Sequence, residues 1–276
     1  MSRFDIRTRT GLIYNIIQGA MGSSTDADAQ AFFDRVTAAG GTLSATEKDA
    51  VNNLVLDLKA NSLWSSMVAI YPMVGASAAA CAQNLVSSSY TGTFSGGLTY
   101  ASTGVTGNGT SGYMNTGLNP NSVLIQNSCH ISYYSRSNQA ASTHGDIGCY
   151  SNTGTVATFY THIRYSGDDY YMLLGDNVFP AIKNYSTLGF FNGSRNSSTN
   201  ITHVRNGTNL GNTTVTSTAL PSLNVYISAL NANGTANAFN TKECAFASIG
   251  AGLSDTQASN FYTNVQTFQT SLSRNI

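Results

Sequence analysis

The spacing of apolar and polar positions divides the chain into four stretches, 1–24, 25–75, 76–253 and 254–276. The second carries helical periodicity. Thr25 can cap a helix whose first turn holds Asp26 and Asp28, acids that complement the exposed N–H groups and the helix dipole, and Gly40-Gly41 ends it. Ser44-Ala45-Thr46-Glu47 matches a capping box. Val51, Leu54, Val55 and Leu58 then recur at the three-to-four spacing that buries one helix face. Leu63, Trp64 and Met67 predict a further short helix, with Trp64 in its core, punctuated by Pro72 and Gly75. Such a segment is too short to form an enzyme domain alone.

In the third stretch, helical spacing gives way to short runs of β-formers between turn signals. Phe159, Ile163 and Tyr165 share one phase of period two, and Tyr160, His162 and Arg164 share the other, which predicts a half-buried strand. Ile201 to Arg205, Asn206-Gly207 and Thr208 to Leu210 predict a hairpin, because both central residues tolerate positive φ. Leu223, Val225, Ile227 and Ala229 line one side of another strand, and Asn108-Gly109, Asn192-Gly193 and Asn233-Gly234 predict further turns. The pattern is that of a mainly β, antiparallel jelly-roll sandwich. The last stretch returns to helix. Ser254-Asp255-Thr256-Gln257 is a capping box in its Gln form, and Phe261, Val265, Phe268 and Leu272 make one apolar stripe. That stripe must pack on the sandwich, on the N-terminal helices or on a neighbouring chain.

Charge narrows the function. Only 9% of residues are charged, 13 basic and 13 acidic, which excludes the clustered cations of a nucleic-acid binder. The 41% hydrophobic content argues against disorder, and no apolar run approaches the ~20 residues of a membrane span. Ser, Thr, Asn and Gly take the place of charge, a composition suited to turn-rich β folds and to dense assemblies. Cys81, Cys129, Cys149 and Cys244 lack metal-finger spacing and are expected as buried thiols. Arg3, Arg7 and Arg9 followed by Leu12, Ile13, Ile16 and Ile17 loosely imitate a secretory signal. Asn15 and Gln18 interrupt the run and no Ala-x-Ala site comes after it, so 1–24 is expected to be an attachment arm docking on a partner through those four apolar residues.

Two groups of residues resemble known families. Arg205-Asn206-Gly207-Thr208, Asn224 to Leu230, and Ala245-Phe246-Ala247-Ser248-Ile249-Gly250-Ala251-Gly252-Leu253-Ser254 resemble the last third of concanavalin-A-like, or laminin-G-like, jelly rolls. Leu54 to Gly75 with Gly96 to Leu118, together with the closing Phe268-Gln269-Thr270-Ser271-Leu272, are similar to modules of tailed-bacteriophage virion proteins. The resemblance implies a concanavalin-A-like sandwich and an appendage, decoration or fibre role on a virus particle. The partners it implies are other virion proteins, in a homo-oligomer or multi-copy assembly.

The chain offers little to drive bond cleavage. Glycoside hydrolysis needs two facing carboxylates, yet Glu47 sits in a helix cap, Glu243 stands beside Lys242, and Asp168-Asp169 suit a polar turn. His130, His144, His162 and His203 are scattered, and neither a Gly-x-Ser-x-Gly elbow nor a phosphate-binding glycine loop is present. Asp168, Asp169, Asp176 and Asn177 could hold calcium only if a loop gathered them, and otherwise no cofactor is expected. Tyr160, His162 and Arg164 would form a sugar-binding face if they share one side of a strand. The leading expectation is thus a non-enzymatic structural protein of a bacteriophage virion. The alternative is a receptor-binding, lectin-like module recognising a host-surface glycan, and the third is a divergent polysaccharide hydrolase acting through Glu243.

Overall fold

The computed structural model describes residues 24–180 and 182–276. The expected docking residues Leu12, Ile13, Ile16 and Ile17 lie outside the described residues.

Helix α1 (Ala27–Ala38) is capped by Asp26, not Thr25, its carboxylate accepting from the Asp28 N–H. The same carboxylate holds Lys59 at 2.6 Å, so the cap also fastens α1 to helix α2 (Ala45–Ala60). Helix α2 opens on the expected capping box, and the second oxygen of Glu47 accepts the Gly75 N–H at 2.7 Å. The helix expected near Leu63 to Met67 is one 3-10 turn, Trp64–Ser66. Immediately after that turn, Met67–Tyr71 forms strand β1. Its Met-Val-Ala-Ile-Tyr sequence favours a pleated surface, and pairing with a central strand outweighs the helical spacing before it.

The remaining strands are β2 (Thr93–Ser95), β3 (Thr99–Ala101), β4 (Gly104–Thr106), β5 (Tyr113–Asn115), β6 (Cys129–Ser135), β7 (Ile147–Ser151), β8 (Ala157–Tyr165) and β9 (Asp169–Leu174). They continue with β10 (Ile182–Lys183), β11 (Gly189–Arg195), β12 (Asn200–Arg205), β13 (Thr208–Thr214), β14 (Tyr226–Ile227), β15 (Leu230–Ala232), β16 (Thr235–Asn237) and β17 (Glu243–Gly250). Short helices α3 (Ala78–Cys81) and α4 (Pro120–Val123) lie in connections, and α5 (Asp255–Ser271) closes the chain. Among the described residues these strands build two sheets. One runs β13-β12-β11-β6-β17-β4-β3 with β1 also on β17. The other runs β10-β9-β8-β7-β14-β5-β2, with β15 on β7 and β16 on β15. Pairing is antiparallel except where β15 runs parallel to β7. The architecture is the mainly β sandwich with helices at both ends.

Ile131, Tyr133, Phe191 and Ile249 of the first sheet meet Ile147, Phe159, Ile163 and Met172 of the second in the inter-sheet core. The outer face of the first sheet is buried too. Tyr134, Phe190 and Phe246 pack under α1, α2 and α5, with Phe261, Val265 and Phe268 of the predicted stripe inserted among them. The C-terminal helix therefore covers both the sandwich and the N-terminal helices. Asn206-Gly207 turns the expected hairpin with φ of 47° and 73°. Asn192-Gly193 does not turn. It lies inside β11, where a Cβ on Gly193 would sit 2.0 Å from the Met172 sulfur, so this glycine serves close approach of the sheets. All four cysteines are free and buried.

Candidate functional site

Among the described residues, the long helices pack on the first sheet and none covers the outer face of the second. Phe159 and Ile163 of β8 point into the core, so period two sends Tyr160 and His162 outward. Between His162 and Tyr165 the register shifts: His162 lies opposite Tyr171, while Tyr165 lies opposite Asp169. Three steps along β8 match two along β9, which is a β-bulge. The extra residue reverses the phase. Tyr165, expected on the core side, swings outward to 5.0 Å from the His162 ring. Arg164 is carried away, its Nε donating to Asp168 Oδ1 and its Nη1 to the Gln139 carbonyl, each at 2.7 Å. Of the expected trio, the structure joins Tyr160 and His162 and replaces Arg164 with Tyr165.

Three aromatics absent from the expected trio complete the face. Tyr150 of β7 stands opposite Thr158, and Tyr171 of β9 stands opposite His162, so both share the outward phase. Phe179, in the connection after β9, is 54% exposed. Ring centroids step from Tyr150 to Tyr160 at 5.6 Å and on to His162 at 5.4 Å. From Tyr165 they continue to Tyr171 at 5.2 Å and to Phe179 at 5.1 Å. Cross-strand pairing could have revealed Tyr150 and Tyr171, because alternation along β7 and β9 puts them on the same face as Tyr160 and His162. Nothing local in the sequence marks Phe179.

Tyr150, Tyr160, His162, Tyr165 and Phe179 line a cavity of ≈ 470 Å³, and Tyr171 links Tyr165 to Phe179 beside it. Leu230 with Asn237 and Ala238 forms one wall, and Asn177 with Phe179 forms another. Gly148, opposite Tyr160, has no room for a side chain, since a Cβ there would come 2.3 Å from that of Tyr160. Tyr160 and His162 form the floor, each 7% exposed. His162 Nδ1 donates to the His144 carbonyl at 2.8 Å. Burial lowers its pKa, so the ring is neutral and Nε2 is an acceptor. Asn152 and Asn237 use their amide oxygens on Asn233 Nδ2 and the Ala238 N–H, and no described residue bonds their Nδ2 groups or the Asn177 side chain.

Among the described residues, no Asp or Glu lines this cavity. Glu243 bridges to Arg136 at 2.9 Å and bonds Thr103, while Glu47 remains in its cap. The three aspartates considered for calcium are engaged separately. Asp168 pairs with Arg164, Asp169 with Lys183, and buried Asp176 with buried Arg195 at 3.2 Å. Among the described residues, no group of three or more His, Cys, Asp and Glu could hold a metal ion. His130 and His203 lie elsewhere. His130 bonds Ala251 and Ser248, His203 bonds Thr213, and burial pushes both down to about 4. What the site offers is a concave run of aromatic rings edged by neutral hydrogen-bonding groups.

No family model matches the chain, and no curated protein matches it in sequence. Among solved structures it is similar to domain 4 of AbnA, an extracellular arabinanase of Geobacillus stearothermophilus, in complex with arabinotriose. That likeness has 12% identity and a TM-score of 0.46, and covers 71% of this chain and 98% of that one. It is also similar to the binding domain of botulinum neurotoxin DC in complex with rat synaptotagmin II, at 14% identity and a TM-score of 0.49. There 74% of this chain matches 52% of the other, about half its length. A third likeness, to Trypanosoma rangeli sialidase, has 11% identity and a TM-score of 0.45 over 78% of this chain and 39% of that one.

Proposed function

We propose that the chain is a non-enzymatic carbohydrate-binding module that holds a glycan in the aromatic groove of the second sheet. The observation that carries this reading is the unbroken run of rings from Tyr150 to Phe179 in one concave face. A pyranose presents apolar C–H faces and a rim of hydroxyls. Ring faces suit the first, and the amides of Asn152, Asn177 and Asn237 suit the second. Exposed aromatics placed singly need no explanation, but a contiguous apolar patch rimmed by polar groups marks a binding surface. Hydrolysis would need paired carboxylates at the groove. The described residues of the lining include none, which supports binding without cleavage. The groove groups also suit a ligand held without a cofactor.

The setting we propose is the one the sequence resemblance implies. A multi-copy appendage of a tailed-bacteriophage virion would meet a host-surface glycan, attached through 1–24 with Leu12, Ile13, Ile16 and Ile17. In that setting, deleting 1–24 prevents incorporation into particles while the remaining chain still binds glycan.

The test of the binding reading is a broad glycan array, then titration of the full chain against its best ligand. Tyr165→Ala and Phe179→Ala are each expected to weaken binding about five- to tenfold, corresponding to roughly 1–1.4 kcal/mol per lost stacking partner. Neither ring is fully buried, so thermal stability is expected to change little. A folded chain that binds no glycan, or binds equally well without both rings, overturns the reading.

A further inference from the structure

We infer that the groove selects uncharged glycans and excludes those carrying carboxylate, sulfate or phosphate groups. The inference rests on the carbohydrate-binding reading and names the class of ligand for the same site.

Among the described residues the cavity is lined by aromatic, amide, hydroxyl and aliphatic side chains, with His162 as the one titratable nitrogen base. An anion seated there would shed water and find no cation in exchange. A buried charge without a partner is strongly unfavourable, whereas a hydroxyl exchanging water for an amide loses little. The cations near the groove are already committed. Arg164 is clamped between Asp168 and the Gln139 carbonyl. Lys183 holds Asp169 at 2.5 Å and the Gly167 carbonyl at 2.9 Å. Arg195 is wholly buried, with Nη2 on Asp176 and Nε on the Leu174 carbonyl. None presents the free fork that recognises carboxylate or phosphate bidentately.

The fixed polar groups point the same way. Tyr171, in contact with the groove rings Tyr165 and Phe179, donates its hydroxyl to Asp169 Oδ2 at 3.2 Å, which sets a carboxylate beside the groove. His162 presents the lone pair of Nε2, because Nδ1 is held by the His144 carbonyl. A sugar hydroxyl can donate to that lone pair, and an anionic oxygen cannot. The unengaged Nδ2 groups of Asn152 and Asn237 supply neutral donors, and the Asn177 amide supplies both donor and acceptor. Such groups match hydroxyls one by one without favouring net charge of either sign.

The experiment uses the full chain and matched glycan pairs: sialylated against desialylated, uronate against carboxyl-reduced, sulfated against desulfated. The neutral member of a bound pair is expected to bind at least tenfold more tightly. Its affinity should stay within about twofold from roughly 0.1 M to roughly 1 M salt, since no ion pair forms. Asn177→Arg adds a cation at an exposed site with no side-chain hydrogen bond among the described residues, and is expected to raise binding of the acidic members severalfold. Acidic members binding as tightly as their neutral partners, or affinity falling steeply with salt, overturns the selectivity and leaves the carbohydrate reading standing. Failure of the folded chain to bind any member overturns both. Neutral-glycan binding that survives Tyr165→Ala together with Phe179→Ala removes the groove as its site and overturns both as well.

Discussion

Arg274 shows how much a single residue near the chain end can hold. Its guanidinium is fully buried with no carboxylate among its partners. It donates to the carbonyls of Pro72 at 2.6 Å, Met73 at 2.8 Å and Ala245 at 2.9 Å, and to the Gln269 side chain at 2.5 Å, while lying 5.1 Å from the Phe268 ring centroid. Burial lowers its pKa to about 10, so it remains charged at neutral pH and relies on carbonyl dipoles. The segment leaving β1 and the middle of β17 are thereby tied to the last turn of α5. Arg274→Ala is expected to lose about 3 kcal/mol or more, because several buried carbonyls lose charge-assisted donors together. Arg274→Lys should recover little, since one ammonium cannot reach the same carbonyls as a planar fork. Urea midpoints of the three proteins check this, and a Lys variant as stable as the parent would refute the geometry. None of it was legible in Ser273-Arg274-Asn275-Ile276, which fell within the stretch expected as helix and carries no signal for a buried cation. Tyr160 and His162 were legible as groove residues because period two holds from Phe159 to Ile163. Arg164 was misassigned because nothing in Ile163-Arg164-Tyr165 announces the inserted residue.

At the scale of the element, legibility tracked one-sided burial. Helix α5 has one apolar face and a capping box that is fully formed, so its start, stripe and need for a partner could all be read. Phe261 is the centre of that interface, in edge contact with His130, Phe190 and Phe246. Phe261→Ala is expected to cost about 3–5 kcal/mol by leaving a cavity between helix and sheet. Ser254→Ala should cost only ~1 kcal/mol, the usual value of a lost N-cap. Thermal melts rank the two, and equal losses would mean that the cap, not the ring contacts, sets the helix. Strand β6 was invisible for the opposite reason. Every residue of Cys129–Ser135 is buried, because sheet packs on one side and helices on the other, and a strand covered on both faces shows no alternation. Strand β1 was absorbed into helical spacing on the same account. Its pairing with β17 is the tertiary contact that decides its conformation.

Across the whole molecule the two faces of the sandwich differ in what they bury, and this sets an acid limit on the fold. His130 lies under α5, bonded to the Ala251 carbonyl and to Ser248 and edge-on to Phe261, while His203 bonds Thr213 and meets the Tyr170 ring. Both titrate at about 4 in the folded chain against the ordinary 6.5, because burial disfavours the imidazolium. Between these values the unfolded chain takes up protons that the folded chain refuses, so stability declines as pH falls from about 6.5 towards 4. Each site contributes up to about 3 kcal/mol of that loss. Together they are comparable with the total stability of a typical domain, so unfolding is expected within this window. Asp26 and Asp169, held low by Lys59 and Lys183, act in the same direction only below the ordinary carboxylate range. Melting temperatures measured from pH 7 to pH 4 should therefore fall steadily. Replacing His130 and His203 by Gln should flatten that slope even where it lowers the starting stability, because Gln carries no proton to refuse. A parent protein with level melting temperatures from pH 6.5 to 4.5 would show that these imidazoles are not buried in neutral form. The His162 pKa is also lowered by burial, so its share of the stability change on acidification has the same sign.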